Sequence, residues 1–337
     1  MSAIVSVSAP ANIAFIKYWG VRDAQRVIPA NPSISMTLSE CRSQCSAQWL
    51  PEPGEDEVYL AGPGGLQPAP AAFRQRVVAH LQRLRGWAGQ AGHFRIATRN
   101  SFPSAAGLAS SASGFAALTL AATGALGRQL SPVEASRLAR QSGSGSAARS
   151  VLGGYVQWPG PGQATHEEQD SYAQVIAPAA HWPLADVIAV VETQPKEVTS
   201  LEGHRRATSS PHFATRQGLL PARLEAVRQA IQARDLEALG AVLEEEAVEL
   251  HLIAMSSRPP IFYWQPATLA VLAAVRQLRE DGCPAFATMD AGANVHVICA
   301  PAQAAAVAQC LEVTPGVQQV LRDRVGEGPS LQAEPLL

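Results

Sequence analysis

Residues 102–127 carry no charged side chain. A stretch of that length and character has to leave water, either across a bilayer or inside a folded domain. Composition separates the two. The segment is mostly Ala, Gly, Ser and Thr with scattered Leu and Phe, and Pro103, Ser104, Ser110, Ser111 and Ser113 crowd its first half. Hydroxyls and small residues at that density insert poorly into lipid. The expectation is a loop followed by an apolar helix over 114–126.

The pattern before this stretch is strand-rich, with alternation in 4–8, 33–38, 43–49 and 94–98. One helix interrupts it over 71–85, where Phe73, Val77, Val78, Leu81 and Leu84 recur at helical spacing. Residues 51–70, rich in Pro and Gly, predict a surface loop around one short strand. Beyond the uncharged stretch, Ser131, Pro132 and Glu134 predict a capping box with proline in the first turn. A Gly/Ser turn at 142–146, a short helix around Arg149, a strand at 154–158 and a loop at 159–163 follow. Residues 185–191 read as a buried strand, apolar except for Asp186. Helices are expected at 211–231, 236–255 and 266–279, paired strands at 285–289 and 295–299, then a last helix and strand. A chain of 337 residues exceeds the ~250–300 at which one core stops growing, so two lobes are expected, 1–183 and 184–337.

A formal charge of −2 with 16% charged residues gives no field to recruit nucleic acid or anionic lipid, which points to a small-molecule partner. The five cysteines lack paired CxxC spacing and read as reduced thiols of a cytoplasmic protein. The first residues have no basic segment ahead of an apolar run, which argues against export. Of the 26 lysines and arginines only Lys17 and Lys196 are lysine. A lysine that persists against such a bias marks a place where a compact ammonium fits and a planar fork does not.

Four segments carry chemistry. Residues 100–114, NSFPSAAGLASSASG, combine small residues with the opening of a helix. Backbone N–H groups there, with the Ser110 and Ser111 hydroxyls, suit a phosphate chain and its metal ion, although no GK[ST] ending makes it a Walker loop. Residues 141–149, QSGSGSAAR, place Ser144 and Ser146 near Arg149, whose fork can grip a carboxylate. Lys17 lies in an apolar, aromatic setting, NIAFIKYWG, where a buried amine needs an anion, internal or from a substrate. Asp290 ends a strand in TMDAGAN, beside small residues.

Taken together with NPSISMTL, VTSLEGH and PPIFYW, these segments resemble, in order, those of the diphosphomevalonate decarboxylase family within the GHMP kinase superfamily. The resemblance implies an α+β GHMP kinase fold, with a ribosomal-protein-like N-terminal lobe, a ferredoxin-like C-terminal lobe and a site between them. It implies an ATP- and Mg2+-dependent decarboxylase of mevalonate 5-diphosphate, commonly a homodimer. By position it assigns Asp290, Lys17 and Arg149 to catalysis, with Tyr18, Ser144, Gly145, Ser146, Arg149 and Arg22 around the substrate. Pro103, Ala105, Ala106, Gly107, Leu108, Ala109, Ser110, Ser111 and Ser200 fall to ATP, with Ser111 toward magnesium. Whether Asp290 acts as a base or an orienting group stays open.

Two departures stand out. Where the family carries lysine after KYWG this chain has Val21, followed by Arg22, and Ala293 replaces the proline after DAG. The first keeps a mevalonate 5-phosphate substrate and an isopentenyl phosphate product in view. Two other readings are a GHMP kinase that stops at phosphorylation and a binding protein that has lost catalysis.

Overall fold

In a computed structural model, the structure describes residues 3–103, 110–160, 169–194 and 196–337. The first part of the chain contributes β1 (Ile4–Ile16), β2 (Val21–Asp23), β3 (Ile28–Pro29), β4 (Ser33–Leu50), β5 (Glu57–Gly62), β6 (Gly65–Pro68), α1 (Ala71–Ala88), β7 (His93–Asn100), α2 (Ser110–Ala125), α3 (Pro132–Arg140), α4 (Ala147–Ser150), β8 (Tyr155–Trp158) and β9 (Gln174–Ala177). The remainder supplies β10 (Ala185–Val190), α5 (Ser200–Arg206), α6 (Phe213–Ala233), α7 (Leu236–Ser256), α8 (Pro266–Glu280), β11 (Ala285–Thr288), β12 (Val295–Cys299), α9 (Ala304–Glu312), β13 (Gln319–Arg324) and β14 (Ser330–Leu331).

The first sheet runs β14-β1-β4-β7-β5-β6. Its long strand β4 forks, pairing β8 through Ser33–Met36 and β7 through Ser43–Leu50, and β9 extends the β8 branch. Alternation marks β1 only over residues 4–8, yet the strand continues to Ile16. Pro10 is accommodated at a register shift against β4, and the residues beyond it are buried on both faces, so no polar face remains to alternate. Residues 57–68 form a hairpin of two strands rather than one strand in a loop. Gly65, at φ +89°, takes the left-handed conformation in its turn.

The uncharged stretch finds its place as α2, laid against β1 and β4. Ala112, Ala116, Ala117, Ala121 and Ala122 are buried, and Ser113 Oγ meets Ser43 Oγ at 2.7 Å. Small residues let the helix backbone approach closely: a Cβ on Gly124 would stand 2.9 Å from Val5 Cγ1. Among the described residues no helix is long and apolar enough to cross a membrane. The capping box forms at Ser131 and Glu134 as expected.

The second sheet, β11-β12-β10-β13, is antiparallel throughout. With α8 and α9 on its outer face, its order is that of a ferredoxin-like βαββαβ unit. Its inner face, with α6 and α7, joins the first sheet in one continuous core. Ile13, Phe15, Ile34 and Met36 lie in the same cluster as Ile188, Leu224, Leu243 and Ile298. That shared apolar layer fixes how the ends of β1 and β11 face each other, and the site lies where they do.

Candidate active site

Lys17 follows the last residue of β1, and its side chain is 1% exposed. The ammonium donates to the Ala14 carbonyl at 2.7 Å and to Asp290 Oδ1 at 3.0 Å. Its backbone is gripped from the second part of the chain. The N–H donates to Glu246 Oε2 at 3.0 Å, and the carbonyl accepts from Arg216 Nη2 at 3.0 Å and Asn31 Nδ2 at 2.9 Å. Glu246 on α7 and Arg216 on α6 are both 0% exposed and pair at 2.6 Å. A buried pair of this kind is costly to break from one side. Glu246→Ala strips the main counter-charge from Arg216 and the acceptor from the Lys17 N–H. The expected loss of stability is about 3–5 kcal/mol, measured by urea unfolding.

Asp290 lies two residues beyond β11, its carbonyl accepting from the Gly292 N–H at 2.7 Å in a tight turn. The carboxylate is 30% exposed. Burial pushes its pKa up, but the Lys17 ammonium, with further help from His296 and Arg149, reverses this and holds it below the ordinary carboxylate range. Burial pulls Lys17 down from the usual lysine value, against the pull of Asp290 and Glu246.

Arg149 sits in α4 with 1% exposure. Its Nε and Nη2 both donate to Asn12 Oδ1, at 3.2 and 3.0 Å, Nη1 donates to Ser33 Oγ, and Nη2 reaches Ser146 Oγ at 3.4 Å. The paired donors expected to grip a carboxylate are therefore spent largely on Asn12, leaving an Nη1 N–H over. Among the described residues no carboxylate lies within ion-pair distance of this guanidinium. Burial lowers its pKa to about 10, and Asp290 and Tyr18 act the other way. A desolvated cation without a counter-ion is a standing demand for an anion.

Both lysines of the chain converge on the same turn. Lys196 Nζ donates to the Ala291 carbonyl and to Ser200 Oγ at 3.0 Å, and burial lowers its pKa to about 8. A cavity of about 410 Å³ borders it, lined by Glu192, Glu197, Tyr263 and Asn294 among others. Tyr18 is wedged between the edge of Trp158, 4.9 Å between centroids, and the face of His204, 4.0 Å. Gly145 packs under both rings, where a Cβ would stand 2.7 Å from Trp158 and from Tyr18. Ser144 Oγ lies 3.2 Å from Ser111 Oγ in the first turn of α2, which ties the Gly/Ser turn to the entry of the uncharged helix.

Of the residues expected at the site, Lys17, Tyr18, Ser111, Ser144, Gly145, Ser146, Arg149, Lys196, Ser200 and Asp290 are linked by these contacts. Ser110 opens α2, and Pro103 is half-buried. Ala105, Ala106, Gly107, Leu108 and Ala109 lie outside the described residues. Arg22 is exposed on the β2–β3 hairpin, and among the described residues no contact joins it to the cluster. Asn12, Glu246, Arg216 and His204 were not singled out by role. Asn12 and His204 do stand within the quoted motifs, at the ends of NIAFIKYWG and VTSLEGH.

An α+β part built on the first sheet, joined to a ferredoxin-like sheet, places the chain in the GHMP kinase class of small-molecule enzymes. Residues 9–173 match the diphosphomevalonate decarboxylase-like N-terminal domain, and 186–326 match the mevalonate 5-diphosphate decarboxylase C-terminal domain. The diphosphomevalonate decarboxylase of Candida albicans is 34% identical over 98% of both chains, and that of Aspergillus fumigatus is 39% identical over 87% of this chain and 76% of its own. Among solved structures, mevalonate diphosphate decarboxylase from Staphylococcus aureus superimposes with a TM-score of 0.89 at 32% identity, covering 98% of both chains. A complex of MDDEF with MVAPP, AMPPCP and magnesium gives 0.88 at 34% identity, with the same coverage. The chain belongs to the diphosphomevalonate decarboxylase family.

Proposed function

We propose that this protein decarboxylates mevalonate 5-diphosphate at the expense of ATP, yielding isopentenyl diphosphate, ADP, phosphate and CO2. It is a carboxy-lyase of isoprenoid biosynthesis, and it uses ATP and magnesium. The observation that carries the site assignment is the buried Arg149, without an ion-pair partner among the described residues, beside the Lys17–Asp290 pair. A hydroxy-carboxylate supplies what that arrangement lacks, an anion for the guanidinium and a hydroxyl for the acid.

Carbon dioxide departs readily only if the adjacent carbon can shed a leaving group, and a tertiary hydroxyl is a poor one. Transfer of the terminal phosphoryl of ATP to that hydroxyl converts it into phosphate. Phosphate and CO2 then leave and the double bond forms. Asp290, kept ionised by Lys17, orients the hydroxyl and accepts its proton as the oxygen is phosphorylated. Arg149 aligns the carboxylate with its remaining N–H. Tyr18 and residues 144–146 border the phosphate end, and Ser200, at the start of α5, and Lys196, just before it, approach from the second part of the chain.

Magnesium neutralises charge on the nucleotide phosphates when it is bound with them. Among the described residues no group of three His, Cys, Asp or Glu side chains could cage a metal. Bound with ATP, the ion would be held through the nucleotide phosphates, with the Ser111 hydroxyl of α2 toward it. The lobes of this proposal are residues 1–183 and 184–337, supported by one large sheet in each, with β14 returning to the first. A cytoplasmic location, consistent with five free cysteines, and homodimeric assembly belong to the same proposal; light scattering on the purified protein tests the assembly.

Initial rates with mevalonate 5-diphosphate and mevalonate 5-phosphate, each with ATP and magnesium, test the substrate. The diphosphate is expected to give the higher kcat/KM by about tenfold or more, the scale of one charge-assisted hydrogen bond. A clear preference for the monophosphate, in keeping with Val21 and the exposed Arg22, would reassign it. Phosphorylation without equal release of CO2 would reduce the enzyme to a kinase.

A further inference from the structure

The structure assigns His204 a positioning role in this reaction: its imidazole fixes the ring of Tyr18 and thereby the phosphate end of the substrate site. The inference rests on the functional reading above. His204 lies in α5, a helix opened by the Thr199 hydroxyl accepting from the Glu202 N–H. The preceding Gly203 lets that helix sit flush on Trp19, since a Cβ there would stand 2.4 Å from Trp19 Cη2.

From this position one ring holds three consecutive residues. Its face stacks on Tyr18, with 4.0 Å between centroids and 29° between planes. It tilts against Trp19 at 4.8 Å. Its Nδ1 accepts the Gly20 N–H at 3.1 Å, at a residue whose φ of +94° is open to glycine. Tyr18 is thus enclosed, with Trp158 and Gly145 on one side and His204 on the other. With Nδ1 an acceptor, the proton of the neutral ring resides on Nε2. Burial, together with the charges of Lys196 and Arg149, lowers the pKa of His204 to about 3, against a smaller opposing effect of Asp290. The ring is therefore neutral near pH 7, with the stack and the hydrogen bond present together.

A wall for Tyr18 predicts a defect in substrate binding rather than in chemistry. His204→Asn keeps an oxygen able to accept from Gly20 but removes the aromatic face. His204→Phe keeps the face and loses the acceptor. The test is kcat and KM for mevalonate 5-diphosphate and for ATP, with calorimetric titration of mevalonate 5-diphosphate in the absence of ATP. The Asn variant is expected to raise the substrate Kd and KM about tenfold, with kcat and the KM for ATP within about twofold. The Phe variant is expected within about threefold of the unaltered enzyme in substrate Kd, with a lower Tm because the Gly20 N–H is left without its partner. Should the Asn variant not fold, His204→Leu, which fills space without a π face, carries the same expectation. Unchanged substrate affinity in the Asn or Leu variant, or an equal loss in the Phe variant, would overturn the proposal. So would a fall in kcat alongside rises in both KM values. An unaltered enzyme inactive on both phosphorylated mevalonates would instead sink the functional reading.

Discussion

Asp290→Asn should lower kcat by about 10³- to 10⁴-fold while leaving the KM for phosphorylated mevalonate within a few-fold. The substitution preserves shape and removes one negative charge, and its consequences run through Lys17. That ammonium is 1% exposed and has the Ala14 carbonyl and Asp290 as its hydrogen-bond partners. Without the carboxylate the buried ammonium loses its strongest counter-charge, and burial pulls it further toward the neutral amine. The hydroxyl then loses the group that orients it and takes its proton. Binding should survive because Arg149 and the 144–146 turn, proposed above to hold the other ends of the substrate, do not depend on Asp290 for their hydrogen bonds. Steady-state release of ADP and CO2, with circular dichroism to verify the fold, makes the measurement. Turnover within tenfold of the unaltered enzyme would remove Asp290 from the chemistry.

Arg149→Lys conserves charge and should still cost about 10²- to 10³-fold in kcat/KM. In the resting protein the guanidinium makes two bonds to Asn12, one to Ser33 and a longer one to Ser146. An ammonium has three donors radiating from one atom and cannot cover Asn12 and Ser33 while facing a carboxylate. Either the buried acceptors or the substrate goes unpaired. The substitution should therefore also lower stability by about 1–3 kcal/mol, the cost of buried polar groups left without partners. Chemical denaturation and kinetics on the same preparation separate the two effects. Near-normal kcat/KM would mean that a point charge suffices and that carboxylate alignment lies elsewhere.

What could be read from the linear chain was local. The capping box at Ser131 and Glu134 needs only neighbours to form, and it formed where expected. The uncharged helix revealed itself because a charge-free run has few places to go. The length of β1 stayed hidden because alternation fails when both faces are covered, and the hairpin at 57–68 because its turn residues resemble any Pro/Gly-rich loop. At the site, Lys17 and Lys196 stood out by scarcity, and Asp290 by its strand end. What no pattern could supply was the 273-residue separation that their contact spans. Glu246 shows the same limit: it sits in a run of three glutamates, and only the packing of α6 on α7 makes it wholly buried while Glu245 is 62% exposed.

The return of β14 to β1 has a consequence during synthesis. Val7 and Ser8 pair with Leu331 and Ser330, and the Gln332 N–H reaches the Ser6 carbonyl. A ribosome delivers those partners more than three hundred residues after the strand they cover. Until then the nascent chain carries one bare flank along its earliest strand, a row of open amides and carbonyls able to zip onto another polypeptide. Overexpression should therefore reward slow translation or a chaperone that occupies that flank.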